Sequence, residues 1–135
     1  MPIIYRLNYS DLTLYMRQAV RAGKRNREIC GLLLAQHFRL TFVPVKNSAT
    51  QIGSFEMWYP WIEIALKNDT SGAYSIVGSY HSHPVSDAIP GQSDIEGARL
   101  KSLMLILACW DQKVGLWQIH SNYAQKVILC IYRGT

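Results

Sequence analysis

The stretch Gly78-Ser79-Tyr80-His81-Ser82-His83-Pro84, with Asp94 eleven residues after the second histidine, constrains this chain more than any other feature. The segment from Ser75 to Gly78 reads as a strand running into it. In a strand, residues i and i+2 share a face. His81 and His83 can therefore offer both imidazoles to one point while Ser82 faces away. Pro84 keeps His83 extended, which helps orient that ring. Asp94 can return from a loop or helix start as a third ligand. Two neutral nitrogens and one carboxylate oxygen suit Zn2+, and three protein ligands leave its fourth position open for water. Such a site is hydrolytic in layout, not a closed structural one.

Glu28 is the candidate general base. It heads Glu28-Ile29-Cys30-Gly31-Leu32-Leu33-Leu34, whose apolar run reads as a buried strand. No Lys or Arg within that strand pairs with it, so it must face a polar site or a cation. Metalloproteases of other folds also pair a histidine zinc site with a non-ligating glutamate. The competing reading is a solvated strand end after the basic loop Lys24-Arg25-Asn26-Arg27. The presence of His81, His83 and Asp94 in the same chain favours the base.

These residues together resemble the JAMM (MPN+, Mov34/PAD-1) metallopeptidase domain. The pattern is Glu28-x-Cys30-Gly31-Leu32-Leu33, then His81-Ser82-His83-Pro84, then Asp94 at the family's spacing. The resemblance runs from about Tyr5 to the last strand. It implies one α/β domain over residues 1–135, cytidine-deaminase-like, with a mixed β-sheet flanked by helices. It also implies that His81, His83 and Asp94 hold zinc and that Glu28 activates a zinc-bound water. One position departs from the pattern. The family serine falls three residues before the aspartate, where this chain has Gly91. Glycine has no hydroxyl to donate to a tetrahedral oxyanion, and one such donor is worth about 10²–10³ in turnover.

The resemblance implies hydrolysis of peptide or isopeptide bonds that follow the C-terminal Gly-Gly of ubiquitin-like proteins. The short span from Glu28 to Asp94 leaves no room for large insertions, so the chain resembles the compact prokaryotic members. Those act on ubiquitin-like sulfur-carrier proteins or their conjugates. The alternative is a weakened or inactive scaffold of the same fold that recruits protein partners, and Gly91 is the feature favouring it. A deaminase would need His-x-Glu and Pro-Cys-x-x-Cys, which are absent.

At 135 residues and 49% hydrophobic composition the chain suits one domain with a sizeable core. No signal-peptide pattern opens it, and the longest apolar run, Leu103 to Trp110, is too short to span a bilayer. A cytoplasmic protein with no membrane partner is expected. Cys30, Cys109 and Cys130 lie in apolar runs and read as free, buried thiols of a reducing compartment. A Cys30 nucleophile is disfavoured because burial raises a thiol's pKa. The net charge is +5, with Arg17, Arg21, Lys24, Arg25 and Arg27 clustered. These suit the C-terminal dipole of a helix or a docking patch for an acidic protein partner. No zinc-finger, helix-turn-helix or RNA-binding pattern supports a nucleic-acid partner.

Periodicity predicts an edge-like strand over Ile3 to Leu7, then a helix from Asp11 to Ala22 capped by Ser10 and stopped by Gly23. Its apolar stripe is 12, 15, 16, 19 and 20. Strands over Ile29 to Ala35 and Phe38 to Val45 form a hairpin turning at Gln36-His37. A second helix opens at Pro60, beside the aromatic residues Trp58, Tyr59 and Trp61. Val85 to Gln92 reads as a loop and Ser93 as the cap of a short helix, with Glu96 completing a capping box. Leu103 to Cys109, Val114 to Ile119 and Lys126 to Tyr132 close the sheet. Gly115 suggests a bulge or a close backbone approach. His37, His120 and Asp87 read as solvated bystanders.

Overall fold

The computed structural model describes residues 3–49, 57 and 73–134. The predicted Pro60 helix and the aromatic residues Trp58, Tyr59 and Trp61 lie outside the described residues. The strands are β1 (Ile4–Asn8), β2 (Cys30–Gln36), β3 (Arg39–Val45), β4 (Ser75–His83), β5 (Leu103–Ala108), β6 (Val114–Ile119), β7 (Ala124–Lys126) and β8 (Ile128–Tyr132). The described helices are α1 (Tyr9–Gly23) and α2 (Gln92–Gly97). One mixed sheet carries all eight strands in the order β7-β6-β5-β4-β2-β3-β1-β8. The expected α/β domain with a mixed sheet and flanking helices is therefore what forms.

Several boundaries differ from the sequence reading. Asn8, not Ser10, caps α1, because its side-chain oxygen accepts from the backbone N–H of Ser10 at 2.8 Å and of Asp11 at 3.4 Å. β1 is not an edge strand, since it lies between β3 and β8 and runs parallel to both. The hairpin turns at His37-Phe38, whose φ of 50° and 65° match the right-handed twist of the flanking strands. Gly91, not Ser93, precedes the first turn of α2. The segment Lys126 to Tyr132, expected as one strand, divides at Val127.

That division shapes the sheet. β7 pairs with β6 at one end of the strand order, while β8 pairs with β1 at the other. Only Val127 separates them, and its N–H donates to the Leu116 carbonyl at 2.9 Å. Adjacent Cα atoms are about 3.8 Å apart, so the sheet must curl until its two ends meet there. Cys130, expected to be buried, is exposed on the outward face of β8.

Each strand's alternation sorts residues onto two faces. On one face, Leu103, Leu105 and Leu107 of β5 and Tyr80 of β4 join Met16 and Ala19 of α1 in the main core. Leu12, Tyr15 and Val20 pack at its margin, so the predicted helix stripe is the buried one. On the other face, Met104, Ile106 and Ile119 form a smaller core with Ala88, Ile95 and Trp117. This second face carries α2. Because Tyr80 points toward α1, His81 and His83 must point to the α2 side.

Tyr80 is wedged among aromatic rings, edge-on to Phe42 at 4.8 Å and to Tyr15 at 5.8 Å. Gly31 lies opposite it in the β2–β4 ladder. A Cβ on Gly31 would overlap both the Tyr80 ring and the Val43 carbonyl, and the backbone atom cannot move aside. We predict that Gly31→Ala destabilises the fold by about 1–3 kcal/mol, the usual cost of overpacking. A lowered urea midpoint with an unchanged m-value would register this, and an unchanged midpoint would contradict it.

Candidate metal centre

Three side chains converge at the ends of β4 and α2. His81 Nε2 lies 3.1 Å from His83 Nε2 and 3.2 Å from Asp94 Oδ1. His83 Nε2 lies 3.2 Å from Asp94 Oδ2. His81 is fully buried, His83 is 9% exposed, and the Asp94 side chain 15%. Among the described residues, these three form the group whose ligand atoms are mutually close enough to hold a metal ion. A tetrahedral zinc with bonds of about 2.0–2.1 Å places its ligand atoms about 3.3 Å apart. The two imidazole nitrogens, 3.1 Å apart, match that spacing, and Asp94 turns one carboxylate oxygen to each of them.

The loop between His83 and Asp94 fixes the orientation of the His83 ring. His83 Nδ1 lies 2.8 Å from the Asp87 carbonyl. A carbonyl can only accept, so Nδ1 carries a proton, and in the neutral ring the Nε2 lone pair is left for a metal. Asp87 thus contributes its backbone oxygen, while its exposed carboxylate is not part of the cluster. The neighbouring Ala88 carbonyl accepts from Trp117 Nε1 at 2.9 Å. A Cβ on Gly115 would strike that same carbonyl. Gly115 pairs regularly with Ile106, so it marks a close approach and not a bulge. No sequence signal marked the Asp87 and Ala88 carbonyls, because any residue supplies one.

The β2–β4 register brings Glu28 to the cluster. Cys30 pairs with His81, and continuing the antiparallel ladder places Glu28 across from His83. Beyond Cys30 the ladder changes character. The Ser82 N–H donates to the Ile29 carbonyl at 3.0 Å, and the Ile29 N–H donates to the Ser82 hydroxyl at 2.8 Å. Ser82, fully buried on the face away from the histidines, thereby pins the strand end that carries Glu28. Asn47 Nδ2 adds a hydrogen bond to the Glu28 carbonyl at 2.9 Å. Sequence reasoning missed both supports.

The electrostatics separate the two carboxylates. Glu28 is only 8% exposed, and burial pushes its carboxyl up to about 7, moderated by His83 and reinforced by Asp94. Burial also acts upward on Asp94, but hydrogen bonds from His81 and His83 outweigh it and hold the carboxyl well below the usual range. Burial lowers His81. Burial likewise acts downward on His83, but Asp94 and the Asp87 carbonyl outweigh it and raise that imidazole. Cys30 is pushed up to about 12 by burial and by Glu28, which leaves it a thiol at neutral pH.

Gly91 sits at φ −79° and ψ 170°, ordinary extended backbone. Its N–H donates to Asp94 Oδ2 at 2.9 Å. A Cβ there would meet only Asp94 Oδ2, at 3.6 Å, so the glycine is not required by space or by backbone angle. His37 is exposed in its turn, and His120 stacks on Tyr123, so neither joins the cluster. A cleft of about 820 Å³ opens beside the centre, with Glu28, Ser93 and Asp94 at one end and Ile76 to Ser79 of β4 along its wall. No helix among the described residues is long and apolar enough to cross a membrane.

Comparison with known proteins agrees with this architecture. Among solved structures, the chain is similar to a protein from Desulfitobacterium hafniense at TM-score 0.78 and 20% identity, over 98% of this chain and 94% of that one. It is also similar to a JAB1/MPN domain protein from Archaeoglobus fulgidus, at TM-score 0.60 and 16% identity, over 95% and 97%. A third is a structure described as JAMM, a metalloprotease-like zinc site in the proteasome and signalosome, at 0.56 and 11%, over 94% and 98%. No curated protein matches the chain. At these identities the structural likeness speaks to the fold. The family described as prokaryotic homologs of the JAB domain matches residues 11–120, and the chain belongs to that family.

Proposed function

We propose that this domain is a zinc-dependent hydrolase of peptide or isopeptide bonds, acting just after the C-terminal Gly-Gly of a ubiquitin-like or sulfur-carrier protein. The observation that carries the reading is the convergence of two imidazole nitrogens and a carboxylate at 3.1–3.2 Å, with a buried glutamate beside them. The family includes zinc metallopeptidases, and the zinc site described for a structural neighbour supports the same reading.

In this proposal His81, His83 and Asp94 hold the ion, which would supply Lewis acidity toward an amide carbonyl and acidify water. Glu28 accepts a proton from the attacking water. The water oxygen bonds to the carbonyl carbon, the C–N bond breaks, and Glu28 passes its proton to the leaving amine. In the metal-free protein burial pushes this carboxyl up to about 7, so its surroundings favour the protonated form that the second step needs. Its strand-end anchoring by Ser82 and Asn47 keeps it beside His83. A scaffold without turnover is the second reading, favoured by the missing hydroxyl at Gly91.

Elemental analysis should find one zinc per chain in the wild type and none in a His81→Ala, His83→Ala double variant. Glu28→Gln should retain zinc and abolish cleavage of a Gly-Gly-linked substrate. Equal zinc in the first two, or cleavage by the third, would refute the assignment.

In the chelated protein, Glu28 also links stability to pH. Its folded carboxyl sits near 7 against an ordinary 4.5, so the folded state holds the proton more tightly. Stability from this group is therefore present at low pH and falls as pH rises through that window. Wild type should lose denaturant resistance relative to Glu28→Gln between about pH 5 and about pH 7.5, because only the wild type must ionise a buried group. Parallel curves would contradict the burial argument.

Gly91→Ser should raise turnover by roughly 10²-fold, mainly in kcat, with zinc content unchanged. The added side chain meets no obstacle. Robust wild-type turnover that serine leaves unaltered would mean another donor already serves the oxyanion. No turnover by either protein on several carriers would favour the scaffold.

A further inference from the structure

The cleft that leads away from the metal centre carries two cations that the proposed chemistry does not use. Arg99 and Lys101 line it, on the segment between α2 and β5. Both are exposed, and among the described residues neither forms an ion pair. The acidic residue of α2 besides Asp94 is Glu96, which accepts from Gln92 Nε2 at 3.1 Å.

The segment that bears them is fixed. Lys101 has φ of 64°, uncommon for a residue with a side chain. Its N–H donates to the Ile119 carbonyl at 2.7 Å, and its carbonyl accepts from Gln118 Nε2 at 3.4 Å. The Arg99 carbonyl accepts from the Ser102 hydroxyl at 2.6 Å and from the Ser102 N–H at 3.2 Å. The Ser102 carbonyl in turn accepts from the Ile119 N–H at 3.0 Å. Both cations are thus presented from backbone clamped to β6.

Their distance from the chemistry follows from strand register. Leu103 pairs with Gly78, five residues before His83 along β4. At about 3.3 Å per residue, that is roughly 16 Å of extended chain. A peptide laid along the cleft from the metal centre would bring its fourth to sixth residues beside Arg99 and Lys101.

We propose that Arg99 and Lys101 select substrates whose extended tail carries carboxylates about four to six residues before the bond that is cut. This rests on the reading of the centre as a hydrolase of Gly-Gly tails and narrows its substrate class to acidic tails. The charge complementarity is direct, with two fixed cations, no carboxylate partner among the described residues, and a chain of net charge +5.

The test uses fluorescein-labelled ten-residue peptides and the Glu28→Gln protein, which should hold a peptide without cutting it. One peptide carries Gly-Gly followed by Ala-Ala, with two Glu placed as the fifth and sixth residues before the Gly–Ala bond. A second has Gln at those positions. A third carries the two Glu in an extension after the Gly-Gly. By anisotropy at low salt the first should bind about ten-fold tighter than the second, the combined worth of two favourable exposed pairs. Raising the salt should shrink that ratio. Adding Arg99→Gln and Lys101→Gln should abolish it while circular dichroism and zinc content stay unchanged. Equal affinities, no binding of either peptide, a preference that survives the double substitution, or a preference only for the third peptide would each overturn the inference. The wild-type protein then separates this from the function itself. Cleavage without charge preference sinks only the inference, and charge preference without cleavage sinks only the hydrolase.

Discussion

The antiparallel ladder between β2 and β4 is the contact on which the candidate centre depends. It pairs Cys30 with His81 and so sets Glu28 against His83. Strand side chains alternate with period two, so a slip of one residue would turn Glu28 to the α1 face and leave the histidines without it. The register is held from both sides. Leu32 and Leu33 are buried in the strand, and Tyr80 fills the space that Gly31 leaves. At the open end, where regular pairing stops, the Ser82 hydroxyl accepts the hydrogen bond of the Ile29 N–H. With the Ser82 N–H donating to the Ile29 carbonyl, this second bond ties the residue next to Glu28 onto β4.

The segment that carries Asp94 needs a different support, because it is a helix of six residues with no buried residue. Its position is set by what precedes it. The Asp87 carbonyl holds His83, the Ala88 carbonyl is held by Trp117, and Gly115 lets the loop lie close on β6. The curl of the sheet, closed at Val127, brings β6 beneath this loop. Closure far from the chemistry and ligand placement near it are thus parts of one packing arrangement.

How much of this was legible in the sequence follows from which interactions are encoded by residue type. The i, i+2 histidines, the alternating faces and the apolar stripe of α1 are side-chain patterns, and they read directly. The hairpin was legible too, though its turn lies one residue later, where His37 and Phe38 take positive φ without glycine. Asn8 was missed because Ser10 stands directly before the predicted helix start, yet a residue at a strand end can also cap the helix that follows. The split of the last strand was invisible. One continuous stretch pairs first with β6 through Ala124 to Lys126 and then with β1 through Ile128 to Tyr132, and no residue type marks where it changes partner. The backbone carbonyls that hold the ligand loop leave no trace in residue identity.

What most distinguishes the centre from a buried polar accident is the opposite fate of its two carboxylates. His81, His83 and the Gly91 N–H hold Asp94 well below the usual carboxylate range, which suits the metal ligand proposed for it. Glu28 is more buried, and in the metal-free protein its carboxyl is pushed up to about 7, which suits the proton carrier proposed for it. Environments that push two nearby acids apart assign them different roles. A fold that only needed to be stable would do better with an apolar residue at position 28, since burying an unpaired carboxyl costs stability. The cost is intelligible if Glu28 exchanges protons with something that enters the cleft. In the proposed hydrolase, Arg99 and Lys101 of the same cleft would extend that logic from the reacting bond to the chain that carries it.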